Sequence, residues 1–136
     1  MKTWTQRYEA SAELVVKPAP VNFAGTRAGQ IMLVPTTRMI AAFMRDVPSG
    51  HHVDVRAMRA QLAERHAAEV TCPVYTGYHL RTVAEAALEA LAAGVPVAAI
   101  TPFWRVLDED SPTTKRLPVK AGFIAARRAE EGAESQ

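Results

Sequence analysis

Apolar and polar positions alternate with a helical period through most of the chain. After a threonine cap in Pro35-Thr36-Thr37, the apolar residues Met39, Ile40, Phe43 and Met44 recur at helical spacing, and Pro48-Ser49-Gly50 closes the run. Asp54 caps a second predicted helix that carries Val55, Met58 and Leu62 on one face and Arg56, Arg59 and Arg65 elsewhere. Pro73 and Gly77 punctuate the start of a third helix, whose stripe is Leu80, Val83, Ala84, Ala87 and Leu91 and whose stop is Gly94. Two short apolar pieces follow, Val97 to Ile100 and Trp104 to Leu107, split by Pro102 and read as a β ribbon. The polar stretch Asp108 to Lys115 reads as its tip. A last helix is predicted from about Pro118 to Glu131, stopped by Gly132.

Residues 1–30 read as an N-terminal arm, with polyproline geometry at Lys17-Pro18-Ala19-Pro20 and turns at Gly25 and Gly29. Residues 31–132 read as one domain and 133–136 as a disordered tail. The predicted fold is mainly α: a winged helix-turn-helix with a three-helix core, a short β ribbon and a C-terminal helix. The second and third helices form the docking pair, the third being the recognition helix.

Composition narrows the setting. The chain has 136 residues, 49% apolar and 22% charged, which suits one globular domain with a modest core. Glu85, Glu89, Gly94 and Pro96 break its most apolar stretch, so no transmembrane helix is expected. The N-terminus lacks the apolar core of a signal peptide. Cys72 is the only cysteine, which excludes an intrachain disulfide and fits a cytoplasmic setting. A net charge of +2 does not by itself point to nucleic acid, but twelve of the sixteen basic residues are arginine, suited to bidentate contacts with phosphate and guanine.

The most informative segment is Ile100-Thr101-Pro102-Phe103-Trp104-Arg105-Val106-Leu107. It resembles the active-site motif of the O6-alkylguanine-DNA alkyltransferases, Pro-Cys-His-Arg followed by apolar residues. Pro102 and Arg105 match; Phe103 stands at the cysteine position and Trp104 at the histidine position. Glu131-Gly132 looks like that family's glutamate-glycine pair, and Arg81-Thr82-Val83 resembles the start of its recognition-helix motif. Met32 to Thr36 and Cys72 to Gly77 are similar to a branch of the superfamily that lacks the cysteine. The resemblance spans roughly residues 31–132. The interval from Arg81 to Phe103 is longer than in the catalytic members.

The resemblance implies DNA binding without catalysis. Alkyl transfer needs a thiolate nucleophile and a histidine that accepts its proton, and neither phenylalanine nor an indole can replace them. Alkyltransferase-like proteins, which also replace the cysteine with a large aromatic, bind alkylated guanine and flag it for repair. The implied partners are double-stranded DNA, with or without alkylated guanine, and repair proteins; no cofactor, metal or membrane is implied. A flipped guanine would meet a pocket of Phe103, Trp104 and Glu131, in which the Trp104 N–H ties to Glu131. The competing reading makes both aromatics core residues and Glu131 a solvated helix end.

Arg81 faces away from the apolar stripe and is the sharpest candidate for a DNA contact; the alternative is an i,i+4 pair with Glu85. Tyr75, Thr76 and Tyr78, with His79, begin the same helix and are candidates for phosphate or sugar, or for sealing the core. Arg105 either meets phosphate or braces the wing. Lys115, with Arg116 and Lys120, either meets a backbone or forms a solvated face. His51, His52 and His66 lack partners at ligand spacing, so a metal reading is set aside. Two other functions fit the sequence: a protein-interaction or transcription-regulatory module on the same fold, and an enzyme using Cys72.

Overall fold

The computed structural model describes residues 2–10 and 13–134. The described residues are mainly helical, with five α-helices and a small three-stranded sheet. The elements run α1 (Trp4–Glu9), β1 (Val15–Pro18), β2 (Ile31–Val34), α2 (Thr37–Asp46), α3 (Val55–Arg65), β3 (Val70–Thr71), α4 (Pro73–Ala92) and α5 (Phe123–Glu134). Single 3₁₀ turns stand at Val97–Ala99, Phe103–Arg105 and Thr114–Arg116.

Three helices start where local chemistry predicts. The Thr36 hydroxyl accepts the Met39 N–H at 3.1 Å, and the Asp54 carboxylate accepts the Ala57 N–H at 2.7 Å. Pro73 occupies the first turn of α4. Gly94, at φ +101°, takes the left-handed conformation that ends α4. The apolar stripes of α2, α3 and α4 converge with Phe103, Trp104, Val106 and Leu107 in one core. Leu33, Ile40, Met44, Met58, Ala84, Phe103 and Leu107 are completely buried there.

Residues 1–30 depart from the expected arm. Residues 4–9 form α1, whose Thr3 cap and Gln6 side chain make a reciprocal capping box. Its first two backbone N–H groups and the Thr5 hydroxyl all donate to the Glu89 carboxylate on α4, at 3.2, 2.8 and 2.9 Å. Residues 15–18 pair antiparallel with 31–34, placing Val15 opposite Val34 and Pro18 opposite Ile31. On the other side of β2, β3 pairs in parallel, with Met32 opposite Val70. The sheet thus joins the N-terminal segment to the helical body.

The ribbon expected over residues 97–107 is replaced by two 3₁₀ turns. Pro102 has no N–H to offer a ladder, and the backbone N–H groups of Val106 and Leu107 both return to the Phe103 carbonyl. The last helix begins at Phe123, after Gly122 at φ +88°, rather than near Pro118. Its start is set by Glu109, whose carboxylate accepts the N–H of Gly122 at 3.3 Å and of Ala125 at 2.9 Å. It runs through Gly132 to Glu134, two residues into the expected tail; residues 135–136 lie outside the described residues. Residues 66–72, including β3, separate α3 from α4. That connection is longer than the turn of an ordinary helix-turn-helix. Instead of docking on α3, α4 lies chiefly against α1 and α2, and α3 lies against the sheet.

Candidate nucleic-acid interface

The N-terminal half of α4 is two-faced. Thr76, His79, Leu80 and Val83 turn inward, while Val74, Tyr75 and Tyr78 are 61%, 51% and 54% exposed. Val74, Tyr75 and Tyr78 thus form an exposed apolar and aromatic patch, a candidate contact surface. The inward face anchors it. The Thr76 hydroxyl donates to the Cys72 carbonyl at 2.6 Å, and Thr37 Oγ1 and His79 Nδ1 share a hydrogen bond of 2.7 Å. Tyr75 stacks on the His79 ring at 6.2 Å between centroids, and Tyr78 meets its edge at 5.2 Å. Burial lowers the His79 pKa below the ordinary imidazole value, so the ring under the tyrosines is neutral at pH 7.

Arg81 continues this outer face one turn on. Its Nε donates to Glu85 at 3.3 Å, the i,i+4 pair weighed from the sequence. Its guanidinium also lies 4.9 Å from the centre of the Trp4 ring. Arg81 is half-buried and held in place, and among the described residues its terminal nitrogens make no hydrogen bond. Lys115 and Arg116 are exposed on the 3₁₀ turn Thr114–Arg116. Arg116 shares a shallow cavity with Val74, Tyr78 and Arg81. Of the residues selected from the sequence, Tyr75, Tyr78, Arg81 and Lys115 reach the surface, whereas Thr76 faces inward.

Arg105 is also turned inward. Its Nε and Nη2 donate to the Glu131 carboxylate at 3.2 and 2.7 Å, and its Nη1 donates to the Val47 carbonyl at 2.8 Å. It braces α5 against the segment after Pro102. Arg128 adds two bonds to that brace, donating to the carbonyls of Trp104 and Leu107 at 2.7 and 3.0 Å. Arg127 lies over the Trp104 ring at 5.0 Å.

The expected base pocket is largely closed. Phe103 is 0% and Trp104 2% exposed; they pack edge-to-face, and Phe103 stacks on Phe123 at 5.9 Å. Both are core aromatics. Glu131 is buried and not a solvated helix end. Burial alone would raise its pKa. The Arg105 hydrogen bonds, the Trp104 N–H and the charges of Arg105 and Arg127 outweigh burial and hold it below the usual carboxylate range. The Trp104 indole N–H thus stabilises the charge without reaching hydrogen-bond geometry, and its chief partner role falls to Arg105. One opening remains beside this cluster: a polar cavity of about 440 Å³ bordered by Pro102, Trp104, Arg105, Arg127 and Glu131, which Phe103 does not reach.

No family model, curated protein or solved structure matches this chain. The functional reading therefore rests on the residues themselves.

Two further sites weighed from the sequence have clear places. Cys72 is 2% exposed, buried in a small cluster with Ala19 and Met32. His51 and His52 are exposed in the loop before α3, His66 follows α3, and no group of three metal-ligating side chains forms among the described residues. No helix among the described residues is long and apolar enough to cross a membrane. Sequence reasoning overlooked Arg7 and gave Trp4 no role at a site. Their signal was the capping box Thr3-x-x-Gln6, which marks a helix where an irregular arm was read.

Proposed function

We propose that the protein binds double-stranded DNA through the outer face of α4 and transfers no alkyl group. The observation that carries this reading is the exposed Val74-Tyr75-Tyr78 surface continued by Arg81 and Arg116, on the helix whose sequence resembles an alkyltransferase recognition helix. Arginine supplies charge and paired donors for backbone phosphates, and tyrosine supplies flat, hydrogen-bonding contact to sugars and base edges. This reading rests on the outer face of α4 and not on a wing, since two 3₁₀ turns stand where the ribbon was expected and α4 lies chiefly against α1 and α2. With phenylalanine and tryptophan at positions 103 and 104, the chain has no nucleophile or base there.

Sensing of alkylated guanine is a narrower version of the same reading. The polar cavity bordered by Trp104, Arg105 and Glu131 is the observation that favours it. Phe103 has no part in it.

Fluorescence anisotropy with plain and O6-methylguanine duplexes tests both versions. Binding on the order of micromolar or tighter at low salt, weakening steeply as salt rises, is the expected result. Absence of binding at low salt overturns the DNA reading and leaves a protein-interaction module. Equal affinity for both duplexes overturns lesion sensing alone.

A further inference from the structure

Arg7 of α1, Arg81 of α4 and Arg116 of the 3₁₀ turn Thr114–Arg116 border one cavity of about 340 Å³, together with Trp4, Val74 and Tyr78. These residues come from three separated parts of the sequence, and no acidic side chain lines the cavity. Among the described residues Arg7 and Arg116 form no ion pair, and Arg81 uses only its Nε for Glu85. Three guanidinium groups against the single Glu85 carboxylate leave an excess of positive charge, which an anion relieves. Guanidinium is the group whose fixed fork of donors matches phosphate oxygens.

The cavity is built rather than accidental. Trp4 lies 4.5 Å from the Arg7 guanidinium and 4.9 Å from that of Arg81, so one indole sets the positions of two arginines. Helix α1 has no fully buried residue; it packs with Trp4 and Tyr8 partly buried, Tyr8 against the main core. The Glu89 carboxylate at its N-terminus also holds it, and the Thr5 and Trp4 bonds lower the pKa of that carboxylate. The result of that attachment is to bring Trp4 and Arg7 alongside Arg81. Val74 and Tyr78, more than half exposed, continue the cavity onto the outer face of α4.

We propose that this cavity binds a backbone phosphate of duplex DNA, and that α1 is part of the DNA interface. The proposal rests on the DNA-binding reading above and extends it to Arg7, Trp4 and Arg116. Phosphate fits a site bordered by three arginines, because its several charged oxygens can take donors from more than one guanidinium. The exposed tyrosines beside it match a polymer that continues past the phosphate.

Two measurements test it. In the first, the full chain is titrated with inorganic pyrophosphate, and the arginine Nε–Hε and indole NMR signals are followed. Saturable shifts at Arg7, Arg81, Arg116 and Trp4 are expected; an unmoved set overturns the proposal. In the second, the salt dependence of duplex binding is compared for wild type, Arg7→Gln and Arg116→Gln, with Arg56→Gln on the exposed side of α3 as the control. Each cavity variant should lower the slope of log K against log salt by about 0.9, and the control should leave it unchanged. If wild type binds duplex but Arg7→Gln and Arg116→Gln keep its slope, the cavity proposal falls and the DNA reading stands. If wild type does not bind duplex, the DNA reading falls, and the duplex assignment of this cavity with it.

Discussion

Replacing Glu131 with glutamine removes one charge from the most buried ion pair among the described residues while keeping side-chain volume. In the wild type, Arg105 and Glu131 are 16% and 5% exposed and pair at 2.7 Å, with additional contacts of 3.2 Å from Nε to both carboxylate oxygens. Arg105 retains its bond to the Val47 carbonyl in the variant, and it keeps a little solvent. Removal of one partner from a buried pair destabilises by about 3–5 kcal/mol, chiefly because the other charge is left buried and unpaired. The residual solvent and the Val47 bond place Glu131→Gln near the lower end, about 3 kcal/mol, or about 10 °C in Tm for a chain of this size. Replacing both partners by apolar residues, Arg105→Met with Glu131→Leu, should return stability to within about 1 kcal/mol of wild type. The control is Glu130→Gln, since the Glu130 side chain is 60% exposed and its pair with Arg127 is screened by water; a change below about 0.5 kcal/mol is expected.

Urea unfolding followed by tryptophan fluorescence measures all four proteins. The pH dependence supplies an independent sign. The folded pKa of Glu131 lies below its ordinary value of 4.5, so the pair's contribution is fully present above that pH. It is lost as pH falls through the lower, folded value. The gap between wild type and Glu131→Gln should therefore close in acid. A Glu131→Gln variant as stable as Glu130→Gln, or a gap that persists at acid pH, would refute the reasoning.

Three other perturbations have definite expected outcomes. The lowered pKa of His79 means that below pH 6.5 the unfolded chain takes up a proton that the folded chain refuses, so stability should fall with pH below that point. His79→Gln should flatten that part of the stability–pH curve, and an unchanged curve would contradict the assignment. Phe103→Ala should destabilise by about 3–5 kcal/mol, because the ring is fully buried and stacked on Phe123; a loss below about 1 kcal/mol would show that the position is not core. Cys72 should react with a thiol reagent only as fast as the chain opens, with Cys72→Ser as the blank, and rapid labelling of the native protein would show an open route to the sulfur.

The three central helices were legible because their signals are local. Thr36 and Asp54 lie within three residues of the N–H groups they cap, and the apolar stripes repeat at the spacing that puts them on one side of a helix. Helix α1 was legible by the same rule, through Thr3 and Gln6, but its short length and the proline-rich segment after it hid the signal. The sheet was not legible. Its outer strand is exposed along its whole length and β3 is two residues long, so neither shows a period-two pattern.

The candidate site divides in the same way. Which face of α4 points outward follows from helical spacing, and so Tyr75, Tyr78 and Arg81 were identifiable from sequence. Thr76 was placed with them by proximity in the chain, yet its spacing from Leu80 and Val83 turns it inward. The i,i+4 pair of Arg81 with Glu85 was visible as an alternative, but its contact with Trp4 comes from a helix 77 positions earlier.

What the amino-acid order determined unaided is the set of helices with local caps, the aromatic identity of positions 103 and 104, and the absence of a nucleophile or base there. Tertiary structure alone decided that those aromatics pack into the core, that Arg105 meets Glu131 instead of solvent, that Glu109 starts the last helix and that α1 brings Arg7 to Arg81. The physical reason is range: caps and periodicity act within a few residues, whereas burial and ion pairing join groups across 26 positions between Arg105 and Glu131 and 84 between Thr5 and Glu89. Nothing within one turn of either partner announces such a contact.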